Sequence, residues 1–296
     1  REGEIARLRE IADPRISLIT NVGHAHLEFL GSLEGVARAK GELWQNLRPE
    51  DWIAVNADDP RVAALAASAR CRKKTYGVDA DADIRAVEIE TEEPGIRFTA
   101  ACGRKKARVR LPAFGRHNVS NALAAVSVGT ILGIDLERIA SGLESFQPYS
   151  GRGRKIALGR KVTIIDEAYN SNPDSLEATL SAFREMKGKN RGILVLGDML
   201  EVGPDSAEVH RRAGSRIGKM GFAHLFWMGD MGESLAAGAG DAGMCPRNIH
   251  VATDAKEILR ALEAVLQEHD WVLVKGSRRM RLERIVEGLS ARLGKE

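Results

Sequence analysis

With 296 residues the chain is long enough for two domains and a sizeable core, and its apolar fraction of 44% and charged fraction of 29% are those of an ordinary soluble globular protein. A net charge of +3 is too small to argue for nucleic acid as a partner, and the basic runs Arg70 to Lys74 and Arg104 to Arg110 read as solvated faces or hairpin edges. No apolar run reaches the roughly 20 residues of a membrane span and no signal peptide is visible. Cys71, Cys102 and Cys245 are odd in number and lack CxxC spacing, which argues for free thiols in a reducing compartment and against structural zinc. A cytoplasmic monomer is expected. The chain starts at Arg1, not Met, and REGEIARLREIA already reads as a helix, so a missing upstream segment is also expected.

In chain order, the first strand is the apolar run Ile16 to Thr20. It leads through Asn21-Val-Gly-His24-Ala-His26-Leu-Glu28 into a helix predicted from Ser32 to about Leu47. Leu33, Val36, Ala37, Leu43, Trp44 and Leu47 recur there at the spacing of a core-facing stripe, and Lys40 falls on the same stripe. Ser32 suits the N-cap and Glu34 the positive first turn. An ammonium withdrawn from water loses basicity or gathers anions, and a neutral amine in a closed site can add carbon dioxide to become a carbamate, a ligand for hard cations. The bland alternative is that Lys40 lies at the stripe's edge and snorkels to solvent. His24 and His26 lie just past a strand end, where open α/β sheets hold ligands, although a pair of hydrogen-bonded loop histidines would look the same.

WIAVNADD, a helix from Pro60 to about Ala67, and KKTYGVD continue the alternation, which argues for a parallel sheet covered by helices. From Asp83 to Leu111 the short runs IRAVEIE, GIRFTAA and ARVRL predict an antiparallel meander. Gly115-Arg-His117-Asn118-Val-Ser-Asn121 opens a helix with Val119, Ala122, Leu123, Val126 and Ile131 inward, and a shorter helix follows from Leu136 to about Phe146. The Pro, Gly and Ser content of Gln147 to Arg154 marks a linker, which divides the chain into domains of residues 1–150 and 151–296.

Beyond it KVTIIDEA, GILVLGD, HLFWMG, IHVATD and WVLVKG are predicted strands. The intervening helices are predicted at Pro173 to Met186, Ala207 to Met220, Gly232 to Ala237, Ala255 to Gln267 and Met280 to Leu293, giving a second α/β domain with a mostly parallel sheet. Polar residues collect at its strand ends: Asp166 to Ser175, Gly197-Asp198-Met199, and Lys275-Gly-Ser-Arg278. Carboxylates and amides in the first can hold hydroxyls or a metal-bound phosphate, although Asn172 or Asp174 can equally cap the next helix. The last pairs a lysine with an arginine that can grip an anion, as exposed basic caps of a sheet edge also could.

NVGHAHLEFLGSLEGVARAKGELW, GRHNVSNALAA, DEAYNSNPDS, LGDMLEVG and VLVKGSRRMRLE, in that order, closely resemble the central and C-terminal domains of the Mur ligases. The likeness is greatest to the branch that joins D-Ala-D-Ala to UDP-MurNAc-tripeptide in peptidoglycan synthesis. It implies part of a P-loop-type ATPase domain, a parallel sheet plus a meander, followed by a Rossmann-like α/β domain. It also implies ATP and Mg2+, and an acyl phosphate that the dipeptide amine attacks.

By the same resemblance Lys40 matches a carbamylated lysine and His26 a metal-site histidine, with Asn21 orienting the metal's water shell and His24 a neighbour. Asn118 matches an adenine contact shaped by His117 and Asn121, and Arg152 an arginine that reaches the ATP phosphates. Asp166, Glu167, Tyr169 and Asn170 match a segment bordering ribose and adenine, in which either carboxylate could meet the ribose. Lys275 and Arg278 match residues meeting the dipeptide carboxylate or a phosphate.

The phosphate loop of the G-x-x-G-K-S/T kind that the family carries is absent, and Gly214 to Met220 has the wrong spacing for one. The chain is therefore expected to be a ligase fragment with very little ATP-dependent activity alone, because isolated lysines cannot replace a cradle of oriented backbone amides. Two alternatives are a noncatalytic binding module and a metal-dependent hydrolase using His24, His26 and Lys40.

Overall fold

The computed structural model describes residues 2–24, 27–93 and 95–294. The chain divides into two compact units, 1–147 and 148–296, three residues before the boundary read from the sequence.

In the first unit the order is α1 (Glu4–Ala12), β1 (Ile16–Ile19), α2 (Leu27–Leu30), α3 (Leu33–Gly41), β2 (Trp52–Asn56), α4 (Pro60–Ser68), β3 (Arg72–Gly77), β4 (Ile84–Glu92), β5 (Gly95–Cys102), β6 (Lys105–Leu111), α5 (Arg116–Ile131) and α6 (Leu136–Glu144). One six-stranded sheet runs β1-β2-β3-β4-β5-β6, parallel through β4 and antiparallel beyond it. Helical crossovers carry the chain back for parallel pairing after β1 and β2, and the tight turn at Gly103, with φ of 58°, makes β5 and β6 a hairpin. One face packs Tyr76, Ile84, Phe98 and Val109 against Val119, Leu123 and Val126 of α5. The other packs Ile19, Ile53 and Val55 against Val36 of α3 and Val62 of α4.

The predicted helix from Ser32 is shorter than its stripe. Ser32 does cap it, its hydroxyl accepting from the Gly35 N–H at 3.1 Å, but α-helix ends at Gly41 and a 3-10 turn carries Glu42 to Trp44. Gly41 is the weak point, and a Cβ there would lie 2.7 Å from Leu65 of α4.

The second unit runs β7 (Arg154–Leu158), β8 (Val162–Glu167), α7 (Pro173–Lys187), β9 (Gly192–Gly197), α8 (Ser206–Gly218), β10 (His224–Met228), α9 (Gly232–Asp241), β11 (Ile249–Ala252), α10 (Ala255–Val265), β12 (Trp271–Lys275) and α11 (Glu283–Leu293). Its sheet order is β11-β10-β9-β12-β8-β7, with every pairing parallel except β7 against β8. Side chains alternate strictly across it. Ile164, Val195, Phe226 and Val272 face α10 and α11, whereas Ile165, Leu194, Trp227 and Leu273 face α7, α8 and α9. The carboxyl ends of β8, β9 and β12 therefore open side by side, which gathers the polar motifs that the sequence spreads over more than a hundred residues.

Candidate functional site

In the first unit Lys40 is half-buried on α3, and its Nζ donates to the main-chain carbonyl of Asn21 at 2.7 Å. Burial pushes its amine below the ordinary value of 10.5, and the charge of Asp59 partly opposes that. The lysine thus turns back toward the end of β1, as its place on the stripe demands. Asn21 meets it through backbone, with no part for its side chain in that contact. His26 lies outside the described residues, and among the described residues no group of three or more His, Cys, Asp or Glu is placed to hold a metal.

The Asn118 amide nitrogen donates to Phe114 O at 2.7 Å, and its oxygen accepts from the Asn121 side chain at 3.2 Å. Asn118 and Asn121 therefore come together at the start of α5, one turn apart, with His117 exposed beside them. The helix starts where Gly115 takes φ of 87°, a conformation that favours glycine, and no side chain caps it.

In the second unit Lys275 is 2% exposed, an extreme burial for an ammonium. Its Nζ reaches Glu167 Oε2 at 3.4 Å and the Asn170 carbonyl at 3.1 Å. Burial pushes this amine down from 10.5, with the Glu167 charge acting in the opposite sense and Arg152 reinforcing the fall. Tyr169 is 42% exposed, and the Arg152 guanidinium stacks over its ring at 3.9 Å while that of Arg278 sits 5.7 Å from the centroid. Two guanidiniums thus converge on one aromatic side chain next to the buried ammonium, with Glu167 beside Lys275 and Glu283 3.5 Å from Arg278, an arrangement suited to phosphate or carboxylate oxygens.

Asp166 plays a different part. It is 1% exposed, and its carboxylate accepts from the Gly151 N–H at 2.8 Å, the Ser150 hydroxyl at 3.2 Å and the Ala168 N–H at 3.3 Å. It anchors the linker turn, in which Gly151 has φ of 77° and packs against Tyr169 too closely for a side chain. The linker arginine is thereby held over Tyr169. Asn172 caps α7 and forms a reciprocal capping box with Ser175.

Sequence reasoning missed three supports: Glu42, which caps α1 by accepting from the Gly3 and Ala6 N–H groups, and Ser277 and His210 in the second unit. Ser277 lies inside the Lys275 to Arg278 motif but drew no role of its own there, and His210 lies seven residues past the Gly197 to Gly203 motif, to which no role was given.

The Mur ligase middle domain matches residues 1–129, and the Mur ligase glutamate ligase domain matches residues 151–278. The chain is 34% identical to the UDP-N-acetylmuramoyl-tripeptide--D-alanyl-D-alanine ligase of Bacillus subtilis over 97% of its length and 62% of the relative's, and 33% identical to that of Escherichia coli over 97% and 63%. It spans about three fifths of the curated relatives it matches. Among solved structures, MurF from Acinetobacter baumannii superposes with a TM-score of 0.88 at 29% identity over 98% of this chain and 63% of that one. MurF from Thermotoga maritima, solved in complex with ADP, superposes at 0.84 with 23% identity and supports the fold. Two adjacent domain matches, relatives over nearly the whole chain and strand-end motifs in the family's order agree: the chain belongs to the Mur ligase family and carries its middle and glutamate ligase domains.

Proposed function

We propose that these residues are part of an ATP-dependent ligase that joins D-alanyl-D-alanine to a UDP-N-acetylmuramoyl tripeptide in bacterial cell-wall synthesis. The buried Lys275 beside Glu167, Tyr169 and two arginines is the observation that carries this reading. Burying an ammonium costs several kcal/mol unless its charge serves a partner, and Glu167 at 3.4 Å is a weak one. An incoming anion supplies the compensation.

In the reaction a carboxylate oxygen of the tripeptide takes the γ-phosphoryl group of ATP and ADP leaves. The dipeptide amine then bonds to the acyl carbon, and phosphate and a proton depart. Each half step builds charge on oxygens, which fixed cations stabilise best. Lys275 and Arg278 would hold the dipeptide carboxylate or a phosphate, and Arg152, presented by the Asp166-anchored linker, would meet the ATP phosphates. Glu167 is the carboxylate left for a ribose hydroxyl, since Asp166 is engaged with Ser150 and Gly151. Asn118, with His117 and Asn121, would contact adenine.

The half-buried Lys40 amine, its charged form disfavoured, fits carbamate formation. So modified, Lys40 with His26 would hold Mg2+, which offsets charge on the phosphoryl oxygens. Neither alternative class has a comparable observation behind it.

The test is equilibrium binding to the 296-residue chain, read by amide shifts. D-Ala-D-Ala or ADP is expected to move Tyr169, Asn170 and residues 275–278, and Arg278→Ala to weaken that binding about tenfold. Shifts confined to other surfaces would overturn the assignment.

A further inference from the structure

The stretch Gly197 to Gly203 joins β9 to α8 beside the cationic cluster, and the ligase reading gives it no task. Apart from the exposed Glu201, its side chains turn largely inward. Met199 and Val202 are buried in the core, and the Asp198 carboxylate accepts from Trp227 Nε1 at 2.9 Å and from the Asp230 and Met231 N–H groups at 2.8 and 3.2 Å. The stretch therefore acts through its backbone, and the backbone is clamped at two successive amides. His210 of α8, wholly buried, accepts the Met199 N–H on Nε2 at 3.0 Å. The Ser277 hydroxyl accepts the Leu200 N–H at 2.9 Å.

Ser277 stands between Lys275 and Arg278. Its hydroxyl donates onward to the Ser171 carbonyl at 3.4 Å, and its own N–H reaches Asp198 O at 3.4 Å. Behind it the β9 and β12 loops touch at glycines: a Cβ on Gly276 would lie 3.4 Å from Gly197 Cα. The loops after β8, β9 and β12 thus form one backbone assembly, in which the β9 loop ties α8 to the loop bearing the cations.

The imidazole can hold its place in one protonation state only. Nδ1 lies 2.7 Å from the Ser206 carbonyl, an acceptor, and so carries the hydrogen. Nε2 then has a lone pair for Met199, and a second proton would set N–H against N–H. Asp198 is the charged group whose field reaches the ring, and the edge of Trp227, with centroids 5.5 Å apart, closes one side.

We propose that His210 is a positioning residue for the anion-gripping loop: its neutral ring fixes the Met199–Leu200 backbone, which in turn seats Ser277 and sets the spacing of Lys275 and Arg278. What the loop binds rests on the ligase reading; the clamp does not. Amide exchange on the 296-residue chain tests it with His210→Phe, which keeps a ring beside Trp227 but removes the acceptor, and with Ser277→Ala. His210→Phe is expected to speed exchange about tenfold at Met199, Leu200 and Ser277, the equivalent of one ordinary hydrogen bond, while Val195 and Leu273 keep their protection. Ser277→Ala is expected to release Leu200 and leave Met199 protected. Imidazole nitrogen shifts should show hydrogen on Nδ1 alone. Faster exchange at Met199 with Ser277 unchanged, or equal loosening at Val195 and Leu273, would overturn the proposal. Failure of the unsubstituted chain to bind the dipeptide would count against the ligase reading and leave the clamp standing.

Discussion

Lys275 is where stability and chemistry pull in opposite directions. Its ammonium is nearly enclosed with one carboxylate at 3.4 Å and one carbonyl at 3.1 Å, too little to replace its hydration. Lys275→Met is therefore expected to stabilise the second unit by about 1–2 kcal/mol in urea unfolding while abolishing anion binding; a loss of stability would mean that the pair is worth more than its desolvation. Asp166 behaves oppositely. Replacing it with Ala strips the Gly151 N–H of its acceptor and is expected to cost about 1–3 kcal/mol and to release Arg152 from Tyr169, seen as lost amide protection at Gly151. The histidines set a pH limit. Burial pushes His210, His224 and His250 below 6.5; His224 and His250 face each other, with Arg191 and Asp270 near His224, and Asp198 near His210. The folded state then takes up protons less readily than the unfolded one. Stability is complete above 6.5 and is lost as pH falls from there through the folded values, so the urea midpoint is expected to drop between about pH 7.5 and about pH 5.5.

At the scale of elements, legibility followed periodicity. The five predicted strands of the second unit all stand, because each is an apolar run closed by polar residues, and both sheet faces are covered. The strand Arg154–Leu158 escaped notice, since RKIAL follows a Gly-Arg linker and pairs as an edge strand with one side free. The short helix Leu27–Leu30 was hidden for lack of length. Lys40 was legible in direction, since a stripe position fixes where a side chain points, but its partner is a backbone carbonyl, which no sequence pattern encodes. Glu42 was illegible for a related reason: it caps α1 from 39 and 36 positions away. Glu42→Ala is expected to fray α1 and cost about 1 kcal/mol, with protection lost at Gly3 and Ala6.

Across the whole molecule, the chain divides into two units near the Gly-Arg linker. Each gathers its own polar set at the start of a helix or the end of a strand: Asn118 and Asn121 at α5 in the first, Lys275, Arg278, Tyr169 and Arg152 beyond β8 and β12 in the second. The motifs pointed to these residues before their contacts were known. The division of labour between Asp166, anchoring a turn, and Glu167, facing the cluster, needed coordinates, since adjacent carboxylates in one motif look equivalent until their partners are known. We propose that the second unit's cationic cluster serves carboxylate activation and amide formation. Phosphate release from ATP tests it most directly, measured with these 296 residues joined behind the upstream part of the Bacillus subtilis relative. Release is expected to require both the muramoyl tripeptide and D-Ala-D-Ala, to fall at least about a hundredfold in Lys275→Ala, and to be negligible for the 296-residue chain alone. Release that ignores the dipeptide, or that Lys275→Ala leaves unchanged, would contradict it.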